Sequence, residues 1–273
     1  SRRNLSIHTE AIAQRIVFEG KRAIGVEFTR RGRLEYIRAR KEVILSAGAF
    51  QSPQLLMLSG IGDKAELSEK GIEVMHHLPG VGKNLQDHPD FIFGYRSNDS
   101  NLLGLSLKGG VHGLRQFIKY RKTRRGLLAS NFAEGGGFLK TSSEFEAPNI
   151  QLHFVVALVD DHARRLHRGH GFSCHVCLLR PKSRGTVALK NNNPASPPVI
   201  DPGFLNDAND VEELVDGYKM TRRLMAAPAL AKFCTEDPFT ANVKTDKQII
   251  DILRNRTDTV YHPVGTCKMG TSK

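Results

Sequence analysis

The sequence predicts an α+β chain in two parts, and three observations lead there. The chain opens with a meander of short alternating segments over residues 4–38. A continuous apolar run, K-E-V-I-L-S-A at residues 41–47, then feeds a glycine turn and an apolar helical stretch, which makes a βα unit. Beyond residue 90, strong strand segments are interleaved with amphipathic helices, which fits an antiparallel sheet flanked by helices.

The opening segments follow in order. Residues 4–9 alternate, with Leu5 and Ile7 on one face. Residues 13–18, 23–29 and 34–38 read as further strands, joined by the turn E-G-K at 19–21 and a basic turn at 30–33. Residues 41–47 read as a fully buried strand. Next comes G-A-F-Q-S-P-Q-L-L-M-L-S-G-I-G at 48–62, where Gly48 marks a tight turn or a close approach of backbone to a ligand. Ser52 suits an N-cap and Pro53 a first helical residue, so a helix is expected from there until Ser59-Gly60 stops it. Such a helix start suits a cofactor carrying phosphate or a polar ring; an ordinary βα unit reads equally well. Residues 63–70 continue as a helix ended by Gly71, and 73–78 as a short strand. The stretch P-G-V-G-K-N-L-Q-D-H-P at 79–89 is rich in breakers. It is therefore a loop, and it carries Asp87 and His88. Composition shifts after Pro89, which marks a domain boundary.

In the second part, residues 91–96, 131–139, 150–159 and 172–179 read as strands, with shorter ones at 185–189 and 198–200. Residues 109–125 form a helix carrying Leu114, Phe117 and Ile118. Residues 209–225 are amphipathic, with Val211, Leu214, Val215 and Tyr218 at helical spacing, and the pattern ends before Pro228. Residues 246–256 form another helix, capped by Thr245, with Ile249, Ile250 and Leu253 inward.

Composition removes several function classes. The 273 residues carry 40 Lys and Arg against 28 Asp and Glu, a net charge of +12. The basic residues are spread out, except in K-Y-R-K-T-R-R at 119–125. With Tyr120 as its one aromatic and no tryptophan in the chain, that cluster is no nucleic-acid module. It is a solvated helix end, or a membrane-surface contact prepared by the preceding apolar residues. No run of 18 apolar residues occurs, so no membrane-spanning helix is expected. The start lacks both methionine and the apolar core of a signal peptide, so the chain reads as a piece of a longer protein. Four cysteines are too few for a disulfide-stapled module and point to a reducing compartment. Cys174 and Cys177 form a C-x-x-C, but within a strand positions three apart face opposite sides, so no metal is expected. Neither G-x-S-x-G nor G-x-G-x-x-G is present, which removes a serine hydrolase and leaves any dinucleotide site without its phosphate-binding turn.

The most informative stretch is T-V-Y-H-P-V-G-T-C-K-M-G at 259–270. Pro263 stiffens the backbone after His262 and keeps it extended, while Gly265 permits a sharp turn or close packing. A histidine held this way suits a general base, which must aim one ring nitrogen at a reacting proton.

Taken together, residues 48–62, the V-G-x-N-L-Q-D-H of 81–88, the histidine segment 261–270 and N-L-x-I-x-T at 4–9 resemble the glucose–methanol–choline family of FAD-dependent alcohol oxidoreductases. The resemblance runs end to end. It implies a partial FAD-binding α/β domain (residues 1–88 and 257–273) and a substrate domain (89–256) with an antiparallel sheet flanked by helices. It implies FAD as cofactor, met by backbone near Ala13 and by Ala47 and Gly48. His262 would take the hydroxyl proton of a primary alcohol while hydride passes to the flavin. The family's G-x-G-x-x-G turn and second catalytic His or Asn would lie outside these residues, so the isolated chain is expected to be inactive. F-S-C-H-V-C-L-L-R-P-K-S-R-G at 172–185 resembles the bacterial alcohol and choline dehydrogenase branch. That branch implies a quinone or other non-oxygen electron acceptor, and a peripheral membrane contact through the helix at 109–125 is consistent with it. With the reducing compartment read from the cysteines, a cytoplasmic location peripheral to the inner membrane is expected, and no nucleic-acid partner. Without tryptophan for an aromatic cage, and with a positive chain, a neutral alcohol is favoured over choline. Choline dehydrogenase of the same family and a non-catalytic substrate-domain scaffold stand as alternatives.

Overall fold

The structure, a computed structural model, describes residues 2–160, 164–165 and 167–271. In chain order these form β1 (Ala11–Glu19), β2 (Arg22–Arg30), β3 (Arg33–Arg38), α1 (Gly48–Leu58), β4 (Ile61–Gly62), α2 (Lys64–Glu69) and β5 (His76–His77). Then come β6 (Pro89–Ser97), β7 (Gly104–Leu105), α3 (Leu107–Thr123), a 3-10 turn (Leu127–Ala129), β8 (Gly135–Leu139), β9 (Ile150–Val155) and β10 (Gly169–Leu178). The chain ends with β11 (Thr186–Ala188), β12 (Val199–Asp201), α4 (Ala208–Met225), α5 (Pro228–Ala231), α6 (Asp246–Arg256) and β13 (Asp258–Thr259). The mixture is α+β, as the sequence predicts.

The chain divides into two compact units. The first holds residues 1–87, 184–203 and 263–273; the second holds 88–183 and 204–262. Residues 184–203 fall in the first unit rather than with the later strands because their backbone is tied there. Leu85 and Gly185 exchange hydrogen bonds of 3.0 and 2.8 Å, and Val187 donates to the Gly82 carbonyl at 2.7 Å. Residues 257–262 fall in the second unit because β13 pairs with β6.

In the first unit, β1, β2 and β3 form an antiparallel meander. Four sequence expectations fail there. Residues 4–9 and 41–47 are not strands: no described strand pairs with them, and Ile7 and Ile44 are each 77% exposed. An apolar run becomes a buried strand only when sheet neighbours take up its backbone groups. Helix α1 starts five residues earlier than its proline suggests, with Ala47 as N-cap and Pro53 inside. The Ser52 hydroxyl accepts a 3.0 Å bond from the Ala47 N–H instead of capping the turn after it. Of residues 73–78 only His76–His77 is strand, parallel to β4. Helix α2 matches its prediction, and Asp63 caps it by accepting from the N–H groups of Ala65 and Glu66.

The second unit is a six-stranded sheet in the order β13-β6-β10-β9-β8, with β7 added beside β10; every pairing is antiparallel. Phe91, Phe93, Ile150, Leu152, Cys174, Val176 and Leu178 point to one face, and α4 and α6 cover it with Leu214, Tyr218, Ile249 and Leu253. Most of these side chains are under 2% exposed, and each contributes about 1.5–3 kcal/mol on burial. Phe91, Phe93 and Tyr218 form an aromatic cluster with centroids 4.6–5.3 Å apart. Thr245 and Gln248 close a capping box at the start of α6.

Candidate active site

Strand alternation sorts β10 into two sets. Cys174, Val176 and Leu178 enter the helix-covered core, so His175 and Cys177 point to the other face. The register extends that second set across the sheet. His175 lies opposite Ile92 and His153, and Cys177 opposite Asp90 and Gln151. Directly paired residues share a face. The face opposite the helices therefore gathers Asp90, His175, His153 and Cys177.

These groups interact closely. Asp90 is 2% exposed, and its Oδ2 lies 2.6 Å from Nδ1 of His175. An ionised carboxylate only accepts, so His175 donates from Nδ1 and its neutral tautomer keeps Nε2 bare. The other oxygen of Asp90, Oδ1, is buried without a hydrogen-bond partner. The His153 ring stands edge-on to His175, 6.4 Å between centroids, and its Nε2 is 3.7 Å from Cys177 Sγ. Burial holds the His153 imidazole below its ordinary range. Charge on His175, His262 and His88 acts the same way, and Asp90 opposes it. Burial pushes the Cys174 thiol on the core side up to about 12, so that sulfur is an inert thiol.

His262 reaches the same region by another route. β13 pairs with the start of β6, and the chain then passes through Tyr261, whose φ is +67°. The imidazole of His262 is exposed and stands edge-on to His88, 5.4 Å between centroids at 87°. His88 Nδ1 lies 2.9 Å from the Leu178 carbonyl, to which it donates. Four imidazoles and one carboxylate thus occupy one region of the second unit. The sequence singled out His262, noted His88 in its loop, and missed the Asp90–His175–His153 group. The missed signal was the alternation in Q-L-H-F-V and C-H-V-C, which puts each histidine opposite the core residues of its own strand.

The remaining predicted residues lie in the first unit. Ala13 is exposed on β1 beside a bulge. Ala47 and Gly48 are exposed at the start of α1. Gly48 has φ +80°, and a Cβ there would meet nothing within 4 Å, so its backbone conformation rather than crowding calls for glycine. Three sequence motifs converge in this unit. Thr266 donates from Oγ1 to the Ala49 carbonyl at 2.6 Å, and its own carbonyl accepts from Gly82 N–H at 2.9 Å. Asn84 donates from Nδ2 to Gly265 O at 3.0 Å, and Gln86 pairs with Val264. A cavity of about 640 Å3 opens here, lined by Leu56, Leu78, Lys83, Asn84, Cys267 and Lys268 among others. Among the described residues no group of three His, Cys, Asp or Glu side chains is arranged to hold a metal ion.

Comparison with known proteins identifies a family. Two family models described as GMC oxidoreductase match residues 1–90 and 181–273. The chain is 43% identical to an alcohol dehydrogenase [acceptor] of Pseudomonas putida over 98% of its own length and 49% of the relative's. It is 38% identical to an oxygen-dependent choline dehydrogenase of Cronobacter sakazakii over its whole length and 49% of that protein. A solved structure of Aspergillus oryzae formate oxidase, which carries FAD, superimposes with a TM-score of 0.85 at 27% identity, covering 94% of this chain and 50% of that one. The chain therefore spans about half the length of the curated relatives it matches.

Proposed function

The chain belongs to the GMC oxidoreductase family, and from that membership we propose that the protein carrying it oxidises a primary alcohol to an aldehyde with FAD. The observation that carries this reading is His262: an exposed imidazole on a stiff His-Pro backbone, edge-on to His88 and beside the Asp90–His175–His153 face. The residues fit the cofactor. Ala13, Ala47 and Gly48 are small and exposed, so a large ligand can approach their backbone, and the cavity lined by the motifs adds two lysines for its phosphates. FAD, when bound, supplies the flavin ring that accepts hydride.

The chain's own part is proton handling. His262 takes the alcohol's hydroxyl proton at a ring nitrogen, which raises electron density on the carbon that loses hydride. His88 is held in one tautomer by the Leu178 carbonyl and flanks that imidazole. Burial holds the His153 imidazole below its ordinary range, which disfavours a positive charge near His262.

The substrate reading is a neutral primary alcohol, since no tryptophan is present to cage a quaternary ammonium; choline is the second reading, favoured by the choline dehydrogenase relatives. The electron acceptor is read as a quinone or another non-oxygen acceptor, as the alcohol dehydrogenase [acceptor] relative suggests. The enzyme is read as cytoplasmic and peripheral to the inner membrane. Anaerobic mixing of the full-length protein with a primary alcohol tests the reading. The flavin absorbance should bleach, and His262→Gln should slow bleaching by about 100- to 10,000-fold. Bleaching at the unaltered rate in the variant would remove His262 as the base.

A further inference from the structure

Helix α3 is built the wrong way round for a helix packed in water. No residue along its 17 positions is buried. Its half-buried residues are Gly109, His112, Gln116 and Tyr120, which recur every three or four positions and form the side turned to the protein. That side is polar or small. The opposite side carries the apolar stripe: Leu107 is 94% exposed, Val111 53%, Leu114 61%, Phe117 51% and Ile118 47%. A water-facing helix normally turns such a stripe inward.

Charge accompanies the stripe. Residues 107–125 contain seven lysines and arginines and no Asp or Glu. At helical spacing Lys108, Arg115, Lys119 and Lys122 run along one flank of the apolar stripe. A groove of about 580 Å3 beside the first turns is lined by Leu107, Lys108, Val111, His112 and Arg115, so apolar and cationic groups meet there.

The helix is fastened at both ends. Ser106 caps it by accepting from Gly109 N–H at 2.9 Å, and its Oγ lies 2.7 Å from His170 Nε2 on β10. At the far end Arg124 takes a left-handed conformation, and Gln116 Oε1 accepts from the Leu127 N–H at 3.2 Å. The stripe is therefore held outward by a fixed frame.

We propose that α3 is a peripheral membrane element that lies in the surface of an anionic bilayer, its apolar stripe among the acyl chains and its basic flank on lipid phosphates. A nucleic acid would match the charge but not the five exposed apolar side chains between the basic positions. A zwitterionic surface would match the apolar side chains but leave the basic flank without counter-charge. The proposal rests on the reading of the enzyme as peripheral to a membrane and names the element that makes the contact; it is independent of the alcohol oxidation, so its test needs no turnover.

The test is co-sedimentation of the full-length protein with vesicles of phosphatidylcholine alone or with one third phosphatidylglycerol. Binding should be strong only to the anionic vesicles and should weaken in high salt. Replacing Lys108, Arg115, Lys119 and Lys122 together by Gln, or Leu114, Phe117 and Ile118 together by Ser, should each lower binding about tenfold or more. All these side chains are solvent-facing, so far-UV circular dichroism should not change. Equal binding to both vesicle types, or unchanged binding in both variants, would overturn the proposal. So would failure of a bulky thiol reagent to label a Leu114→Cys variant without vesicles, read by peptide mass spectrometry, which would mean that another part of the protein or a second copy covers the stripe. Displacement of bound vesicles by duplex DNA would favour a nucleic-acid surface and overturn it likewise.

Discussion

Asp90 offers the sharpest test of how the histidine face is held. Its Oδ2 makes a 2.6 Å bond with His175 Nδ1 while the carboxylate is 2% exposed. A hydrogen bond to an ionised group contributes about 1.5–3 kcal/mol. Asp90→Ala removes that bond and leaves the Nδ1–H without its acceptor. His175 keeps 15% of its side chain exposed, so water can satisfy part of that donor. Asp90 also has one oxygen buried without a partner, so removing the carboxylate relieves some desolvation. The expected net loss is about 1–2 kcal/mol. Asp90→Asn should cost about 1 kcal/mol, because its amide oxygen can still accept while its NH2 takes the place of the unpartnered oxygen. Urea unfolding of the full-length protein measures both. Histidine-selective 15N spectra give a second readout: wild-type His175 should be the Nδ1–H tautomer, and Asp90→Ala should show a mixture. A destabilisation below about 0.5 kcal/mol, with the tautomer unchanged in Asp90→Ala, would refute the view that the carboxylate sets His175.

Further predictions concern pH and backbone. Burial lowers the folded-state pKa of His153, so just below the ordinary imidazole value the unfolded chain binds more protons than the folded one. Stability should therefore fall as pH drops from about 6.5, and His153→Gln should flatten that slope in denaturation midpoints measured between pH 7 and 5. Gly82 has φ +78°, and a Cβ there would lie 2.1 Å from the Val187 carbonyl oxygen, a backbone atom with little room to move. Gly82→Ala should cost about 2–5 kcal/mol and break the Val187-to-Gly82 bond, seen as faster exchange of the Val187 amide. In α4, a Cβ on Gly217 would lie 2.7 Å from Ile150 Cδ1, the flexible end of a side chain. Gly217→Ala should cost less, about 1–3 kcal/mol in thermal unfolding.

What could be read from sequence depended on whether a signal was local. Helices α2, α4 and α6 were legible because helix breakers and 3.6-residue spacing act within one element, as does the Thr245 cap of α6; Asp63 and Asp207, not read as caps from the sequence, also accept from their own first turns. Strands β6, β9 and β10 were legible because alternation and apolar runs are intrinsic to the chain. Residues 41–47 misled because a buried strand is a property of its neighbours, and Ile44 stands exposed without them. The start of α1 was misplaced because Ser52 and Pro53 carry the pattern of a cap, while Ser52 binds the Ala47 N–H from inside the helix. The histidine face was hidden for a similar reason. His153 and His175 are 22 positions apart, and only the register of β9 against β10 makes them neighbours.

The two motifs that suggested chemistry also have a structural task, which explains their unusual residues. The chain leaves the first unit between Asp87 and His88 and re-enters it between His262 and Pro263. On the first-unit side, Gln86 and Val264 bond each other in both directions, at 2.9 and 2.8 Å. On the second-unit side, His88 and His262 meet ring to ring. The two crossings are thus paired within each unit. Gly265, at φ +93°, leaves no room for a side chain, because a Cβ would lie 2.5 Å from the Asn84 carbonyl. Pro263 fixes the backbone between that pairing and the imidazole. Within the second unit, His262 is placed beside His88 by the pairing of β13 with β6. Substituting Gly265 should accordingly disturb His262 without touching it: Gly265→Ala should slow flavin bleaching by alcohol while leaving the 15N tautomer of His175, set by Asp90 alone, as it was.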